Sequence, residues 1–166
     1  MILTTWPCPH TDAASMDARL PNTSANTGYA PEMALAFTPG DSNQPACGTR
    51  LLILPALFDE ANRLRRFTVA TMRQLASLGI ASVLPDLPGC GESLWPLEAQ
   101  DLTRWRAAAM AATAHFNTSH VLTIRGGVCL APPGLPGWHY APQAASAQLR
   151  QLLRRLIGLQ SLYHVP

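Results

Sequence analysis

The chain has 166 residues, of which 12 are arginine, none is lysine and 10 are acidic, so its formal net charge is only +2. This length suffices for one domain with a buried core, and a hydrophobic share of 48% indicates a globular protein rather than a disordered one. A charge so near zero argues against nucleic acid as the default partner. The four cysteines form no C-x-x-C pair and have no metal-ligand spacing with the five histidines, so we expect neither a metal nor a cofactor.

The N-terminal region has a composition unlike the rest. Residues 1–30 are rich in threonine, serine, asparagine, alanine and proline and have no apolar period. We therefore predict a loose N-terminal arm over residues 1–30, followed by a single α/β domain over residues 31–166. The first residues lack the basic and apolar regions of a secretory signal, and no apolar run is long enough to cross a bilayer. A cytoplasmic location is expected.

Apolar runs and helical patterns alternate along the remaining chain. Short apolar runs predict four β-strands, at residues 33–38, 50–56, 80–89 and 120–125. Apolar residues at spacings of three and four predict three helices, at residues 60–78, from Pro96 to about Phe116, and at residues 143–159. Glu98 and Asp101 are expected in the first turns of the second helix. The alternation predicts a parallel sheet with right-handed crossovers.

The ends of three predicted strands carry the most informative motifs. One strand runs into Pro55-Ala56-Leu57-Phe58, the next into DLPGCGES (86–93), and the last, VLTIRGG (121–127), ends in Arg125 and two glycines. In this order the motifs resemble the N-terminal half of an α/β-hydrolase. The resemblance implies a three-layer α/β fold with a mostly parallel sheet, truncated at its C-terminus. It also implies that the loop at Leu57 donates N–H groups to an oxyanion hole and that the glycine turn carries the nucleophile.

A narrower resemblance concerns the segment PALFDEANRLRR, residues 55–66. It looks like the P-P-F-x-E-E-x-N-x-x-R-R segment of a hydrolase-like family associated with bacterial exosortase A systems, which accompany exopolysaccharide gene clusters. That family tends to carry arginine in the turn, as G-x-R-x-G, and residues 138–156 resemble its W-x-P-V-x-x-G segment and the helix that follows. The implied ancestral substrates are carboxylic esters or acylated saccharides.

The sequence departs from the hydrolase pattern at the turn itself. Thr123 replaces the first glycine, and Arg125 stands where the nucleophile would be. The sequence also ends before the part of a hydrolase that supplies the acid and the histidine of the triad. The resemblance therefore implies a hydrolase by ancestry that is degenerate as an enzyme.

The chemistry of arginine limits what Arg125 can do. A guanidinium stays protonated and is neither a nucleophile nor a base, but its forked donors suit carboxylates and phosphates. Since adjacent loops in this fold bring residues 55–60 beside the turn, we predict that Arg125 pairs with Glu60 or Asp59. A carboxylate there would oppose acyl transfer, which requires stabilisation of developing negative charge. The pair is either a structural tie between two loops or the centre of an unusual site.

Neighbouring polar residues are further candidates for ligand binding. An anion site would use Arg125 with help from Arg63, Arg65 or Arg66. Asn62 either bonds to one of the loops or begins the helix. Asp86, at the end of a strand, is expected to tie loops together by accepting backbone N–H groups. Ser93 is expected to cap the segment that follows it rather than to act as a nucleophile.

The predicted last helix has leucines on one face and Arg150, Arg154 and Arg155 on the other. This pattern is typical of a helix on an anionic membrane surface or against a protein partner, and also of a helix that lies on the sheet with its arginines in water. After Gly127 the chain is too rich in proline and glycine for a long helix. If the fold is truncated, the sheet edge beyond residues 120–125 is expected to be unprotected and open to a partner or to a second copy of the chain.

Two functions fit these patterns. In the first, the chain is a hydrolase-like protein of an exosortase or exopolysaccharide system, with weak or unusual activity centred on Arg125 and Glu60. In the second, it is a non-catalytic module that uses the same cleft for a small anionic or acyl ligand, or its last helix for a membrane or protein partner. Loss of turnover on Arg125→Ala would indicate the enzyme.

Overall fold

The computed structural model describes residues 1–9, 29–39, 48–150 and 153–154. They form a six-stranded sheet, the α-helices α1 (Asp59–Ser77) and α2 (Leu102–His115), and a further helical segment at residues 145–150 and 153–154. Short 3-10 segments occupy Leu97–Ala99 and Arg125–Leu130. In chain order the strands are β1 (Ile2–Pro9), β2 (Tyr29–Phe37), β3 (Arg50–Leu54), β4 (Ala81–Pro85), β5 (His120–Ile124) and β6 (Gly137–Tyr140).

The strand order in the sheet is β1-β2-β4-β3-β5-β6. Strands β4, β3, β5 and β6 run parallel, whereas β2 pairs antiparallel with both β1 and β4. Central β3 is fixed in register on both sides, because Leu52 lies opposite Val83 of β4 and Val121 of β5. The carboxyl ends of β3, β4 and β5 therefore meet at one edge of the sheet, where open α/β sheets place their ligand sites.

Helices cover both faces of the sheet, which gives three layers. Side chains of β3 alternate between the faces, as period-two geometry requires. Leu52 and Leu54 pack in a cluster with Trp105 of α2, while Leu51 and Ile53 pack with Met72 of α1. The continuous apolar run of β3 is explained by this burial on both faces. The predicted α/β fold with a mostly parallel sheet is thus confirmed.

The N-terminal prediction is wrong for the first strand. Residues 2–9, predicted as part of a loose arm, form β1, which pairs along its whole length with β2. The strand is not evident from the sequence, because Trp6 and Cys8 are its only fully buried residues and the alternation of buried and exposed positions is therefore short. Residues 10–28 of the predicted arm lie outside the described residues.

A second strand was also missed, at Gly137–Tyr140. This strand, β6, pairs parallel with β5, so the edge of β5 is covered and the prediction of an open edge there is wrong. All four residues of β6 are exposed, which removes the apolar alternation that normally marks a strand. In the described part of the chain, β6 itself is the last strand on this side of the sheet.

The two later helices begin later than predicted. The segment after Pro96 forms only a 3-10 turn, and α2 starts at Leu102 with Asp101 as its N-cap. The final helix, predicted from residue 143, is helical at residues 145–150 and 153–154, and the rest of it lies outside the described residues. Leu149 and Leu153 are about half exposed there. No helix among the described residues is long and apolar enough to cross a membrane.

Candidate functional site

The turn after β5, which we call the elbow, has a strained backbone. Arg125 directly follows the strand and has a φ of 54°, a left-handed value that is uncommon for a residue with a side chain. Gly127 comes so close to β3 that a Cβ there would clash with the carbonyl oxygens of Leu54 and Pro55. Only glycine allows this approach, which presses the elbow against the end of β3.

Thr123, which replaces the first glycine of the elbow, is buried and has a hydrogen-bond partner. Thr123 is fully buried, and its hydroxyl lies 2.7 Å from Nδ1 of His139 in β6. A polar side chain at this position is therefore paired rather than left unsatisfied. The backbone carbonyl of Arg125 accepts a hydrogen bond from the N–H of Gln143 at 3.1 Å, which ties the elbow to the chain after β6.

The predicted ion pair forms with Glu60. Arg125 donates from Nε to Glu60 Oε1 at 2.9 Å, with the two side chains 34% and 21% exposed. Glu60 lies in the first turn of α1, where the helix dipole favours a carboxylate. Its second oxygen, Oε2, is buried and has no hydrogen-bond partner among the described residues. Asp59, the other predicted partner, is exposed and belongs to a cavity beside the pair.

A cavity of about 530 Å³ lies at this edge, between the start of α1 and the ends of β3 and β4. Four of the predicted binding residues line it: Leu57, Asp59, Asn62 and Asp86. Arg66 does not line this cavity, and its neighbour Arg65 does. Most of the remaining wall is apolar, so the cavity suits a ligand with an apolar body.

Asp86 organises the loop that borders this cavity. Its Oδ2 accepts a hydrogen bond from the N–H of Glu92 at 3.1 Å, as predicted for a residue that ties a loop. A Cβ at Gly91 would lie 2.5 Å from the Asp86 carboxylate, so the loop closes only around a glycine. Burial raises the pKa of Asp86 above its ordinary value of 3.8, while the hydrogen bond from Glu92 and the charge of Arg65 act in the opposite direction.

A contact between Glu32 and Ser93 was not predicted from the sequence. Ser93 donates its hydroxyl to Glu32 Oε1 at 2.7 Å and accepts hydrogen bonds from the N–H groups of Gly89 and Trp95. Glu32 is only 2% exposed, and this burial raises the pKa of its carboxyl from 4.5 to about 7. Ser93 therefore binds the loop to β2. The sequence feature that could have indicated this contact is Glu32 itself, an acid within the otherwise mostly apolar strand β2.

The cysteine near the cavity is not set up as a nucleophile. Burial, together with the nearby carboxylates of Asp86 and Glu32, raises the pKa of Cys90 to about 11. The thiol is therefore protonated at neutral pH, and the thiolate is the reactive form. Within the part of the chain that the structure describes, no three histidine, cysteine or acidic side chains converge in a way that could hold a metal ion.

Comparison with solved structures supports the fold. The chain is similar to a proposed hydrolase from Agrobacterium vitis S4, with a TM-score of 0.54 and 16% identity, over 86% of this chain and 54% of that one. The fold is thus α/β-hydrolase-like, as the resemblance implied. The chain spans about half the length of that hydrolase.

A second solved structure is Est1E from Butyrivibrio proteoclasticus with ferulic acid bound. Its TM-score is 0.41 and its identity 20%, over 55% of this chain and 36% of that one. No protein-family model matches the sequence. A search of curated proteins also gives no match.

Proposed function

We propose that this α/β-hydrolase-like protein binds a small ligand in the cleft at the carboxyl end of its sheet and does not hydrolyse esters by a serine mechanism. One observation carries the proposal: the position of the nucleophile is occupied by Arg125, which is held by Glu60 at 2.9 Å. A permanently protonated guanidinium cannot attack a carbonyl carbon. What the site retains is a cavity with apolar walls and fixed polar groups.

The position of Glu60 also opposes acyl transfer. A tetrahedral intermediate places negative charge next to the elbow, where hydrolases aim hydrogen-bond donors. Here a carboxylate oxygen of Glu60 contacts the elbow side chain, and the second oxygen is buried beside it. Glu60 offsets the positive charge that Arg125 would otherwise offer to an oxyanion. The pair therefore fits a site that binds a ligand without transferring an acyl group.

Charge bears on which ligand the cleft accepts. The charged side chains that line the cavity at the sheet edge are Asp59, Asp86 and Arg65, so carboxylates outnumber guanidinium groups. The charge of Arg125 is already balanced by Glu60. An uncharged or acylated ligand is therefore favoured over the free anion that the sequence analysis considered.

The biological setting is also a proposal. The resemblance of residues 55–66 to a hydrolase-like family of exosortase A systems supports a role beside exopolysaccharide synthesis. The two residues at the centre of the site, Glu60 in that segment and Arg125 in the elbow, follow the pattern of that family.

Unusual catalysis is the second candidate. It is favoured by the φ of Arg125, because a residue held in the left-handed region costs about 1–3 kcal/mol and such strain concentrates at functional sites. In this case another group would attack, and Arg125 would stabilise charge.

An assay of ester turnover separates the two candidates. Short-chain acyl esters are incubated with the purified wild-type protein and with the variants Arg125→Ala and Glu60→Gln. The control variant is Arg73→Ala, which changes an exposed residue of α1. The binding function predicts no turnover above buffer in any of the four folded proteins. Turnover that disappears in Arg125→Ala and persists in Arg73→Ala would overturn it in favour of catalysis.

Contacts with a membrane or partner remain a separate proposal. Arg150 and Arg154 are exposed, next to the half-exposed Leu149 and Leu153, while Arg155 lies outside the described residues. Exposed leucines beside arginines suit an anionic surface. Because β6 covers β5, a homodimer through this side of the sheet would use β6, whose side chains are exposed. Vesicle flotation with anionic lipid, and sedimentation of the free protein, would test these two contacts.

A further inference from the structure

The cavity at the sheet edge contains a half-buried carboxylate, that of Asp86. Its Oδ2 accepts the N–H of Glu92, whereas Oδ1 accepts no hydrogen bond from the residues that the structure describes. A Cβ at Gly91 would lie 2.5 Å from Oδ1, so the glycine leaves this oxygen uncovered. Because a carboxylate has about four acceptor positions, Asp86 can still accept a donor from a ligand in the cavity.

Most of the wall around this carboxylate is apolar, and Leu57, Phe58 and Leu84 are part of it. A ligand whose body fills this space displaces the water that hydrates Asp86. Loss of hydration is unfavourable for an ionised group unless a hydrogen bond replaces it. A ligand that occupies the cavity must therefore bring a hydrogen-bond donor to Oδ1.

The charges around Asp86 select the kind of donor. The charge of Glu92 raises the pKa of Asp86, and the charge of Asp86 in turn raises the pKa of Glu32, so these three carboxyl groups interact. Arg65, an exposed residue of α1 in the cavity wall, acts on Asp86 in the opposite direction. Carboxylates thus outnumber guanidinium groups around Oδ1, and their field favours a positively charged donor over a neutral one.

We propose that the cavity at the sheet edge binds a primary amine in its ammonium form, which donates to Oδ1 of Asp86 while an apolar body lies against the leucines and Phe58. The inference rests on the proposed ligand-binding function and deepens it, because the excess of carboxylates that disfavours an anion also favours a cation over an uncharged ligand. A cavity of about 150 Å³ accepts benzene, so about 530 Å³ holds a ring with a short chain. The positive charge of Arg65 opposes the ammonium group and limits its affinity.

The test compares three probes that share a phenyl ring and a short chain and differ in the end group: 4-phenylbutylamine, 4-phenyl-1-butanol and 4-phenylbutyrate. Affinities are measured by titration at pH 8, where the amine is protonated. The N–H resonances of Gly89 and Gly91 report whether binding occurs at this cavity. The wild-type protein is expected to bind the amine about tenfold more tightly than the alcohol, because a hydrogen bond between two charged groups is stronger than one with a neutral donor. The butyrate should bind most weakly.

Two variants should change the preference in opposite directions. Asp86→Asn keeps an oxygen for the N–H of Glu92 but removes the charge, so the preference for the amine over the alcohol falls to about twofold or less. Arg65→Met removes a repulsive charge and should raise the affinity for the amine about threefold without changing that for the alcohol. Arg73→Met, on the same helix but outside the cavity wall, is the matched control and keeps the wild-type affinities.

Several results would overturn the inference. They are binding of the alcohol by wild type at least as tight as that of the amine, no binding of the amine at the two glycines, an undiminished preference in Asp86→Asn, and a lower affinity of Arg65→Met for the amine. The first two need no variant, so they decide even if Asp86→Asn fails to fold. Tighter binding of the alcohol or the butyrate would overturn this inference alone, since the cleft would still bind a ligand. The binding function itself fails only if the esters are turned over at the elbow.

Discussion

Replacement of Glu32 by glutamine should make the protein more stable at high pH. The carboxyl of Glu32 is 2% exposed, and its pKa is raised from 4.5 to about 7. A group with a raised carboxyl pKa holds its proton more tightly in the folded state, so folding opposes ionisation. Stability is therefore lost as pH rises from about 4.5 to about 7 and stays lower above that range.

The size of the effect follows from the pKa difference. At 1.36 kcal/mol per pH unit, a change from 4.5 to about 7 corresponds to about 3 kcal/mol of unfolding free energy. Glutamine keeps an oxygen that accepts the hydrogen bond from Ser93 but carries no charge. The charge of Asp86 also raises the pKa of Glu32, and Asp86 itself is present in both wild type and variant.

Urea unfolding at pH 4.5 and pH 8 measures this difference. We expect Glu32→Gln to gain about 3 kcal/mol relative to wild type between the two pH values. Glu98→Gln, at an exposed position in the 3-10 turn, serves as the control and should follow wild type. Parallel behaviour of Glu32→Gln and wild type across this pH range would refute the reasoning, because the buried carboxyl would then not be the group that titrates.

Three other experiments test the geometry of the site and its surroundings. In a double-mutant cycle of Glu60→Gln and Arg125→Met, urea unfolding should give a coupling of about 1 kcal/mol, since the pair is partly exposed, and no coupling would contradict the ion pair. Gly91→Ala should lower stability by about 2 kcal/mol, because its φ is 61° and a Cβ would meet the Asp86 carboxylate; an unchanged melting temperature would disprove this. Asp101→Ala should lose the N-cap of α2 and about 1 kcal/mol, and equal stability to wild type would show that the cap is dispensable.

The central part of the fold was predictable from the sequence. Strands β3, β4 and β5 are short apolar runs because both of their faces are buried, and α1 has apolar residues at helical spacing. Strand β6 was not predictable, since it is exposed throughout and follows a segment rich in proline. Its pairing with β5 is a long-range contact that no local pattern specifies.

Some contacts of the candidate site were predictable from the sequence and others were not. The ion pair of Glu60 and Arg125 followed from an acid in the loop beside an arginine elbow, because the fold fixes which loops are neighbours. The contact between Glu32 and Ser93 joins residues 61 positions apart and depends on the register of β2, which the sequence does not specify. The side chain of Gln148 lies against Gly126 of the elbow, and this contact depends on the position of the last helical segment, which no local pattern specifies.

The most direct test of the central claim is a reaction with an alkyl fluorophosphonate followed by mass spectrometry of the intact protein. This reagent phosphonylates an activated serine, with loss of fluoride, and a known serine hydrolase provides the positive control. Because Arg125 occupies the nucleophile position and Ser93 is engaged by Glu32, Gly89 and Trp95, we predict an unchanged mass. An adduct of one phosphonyl group, mapped to Ser93 or to any other serine, would contradict the account.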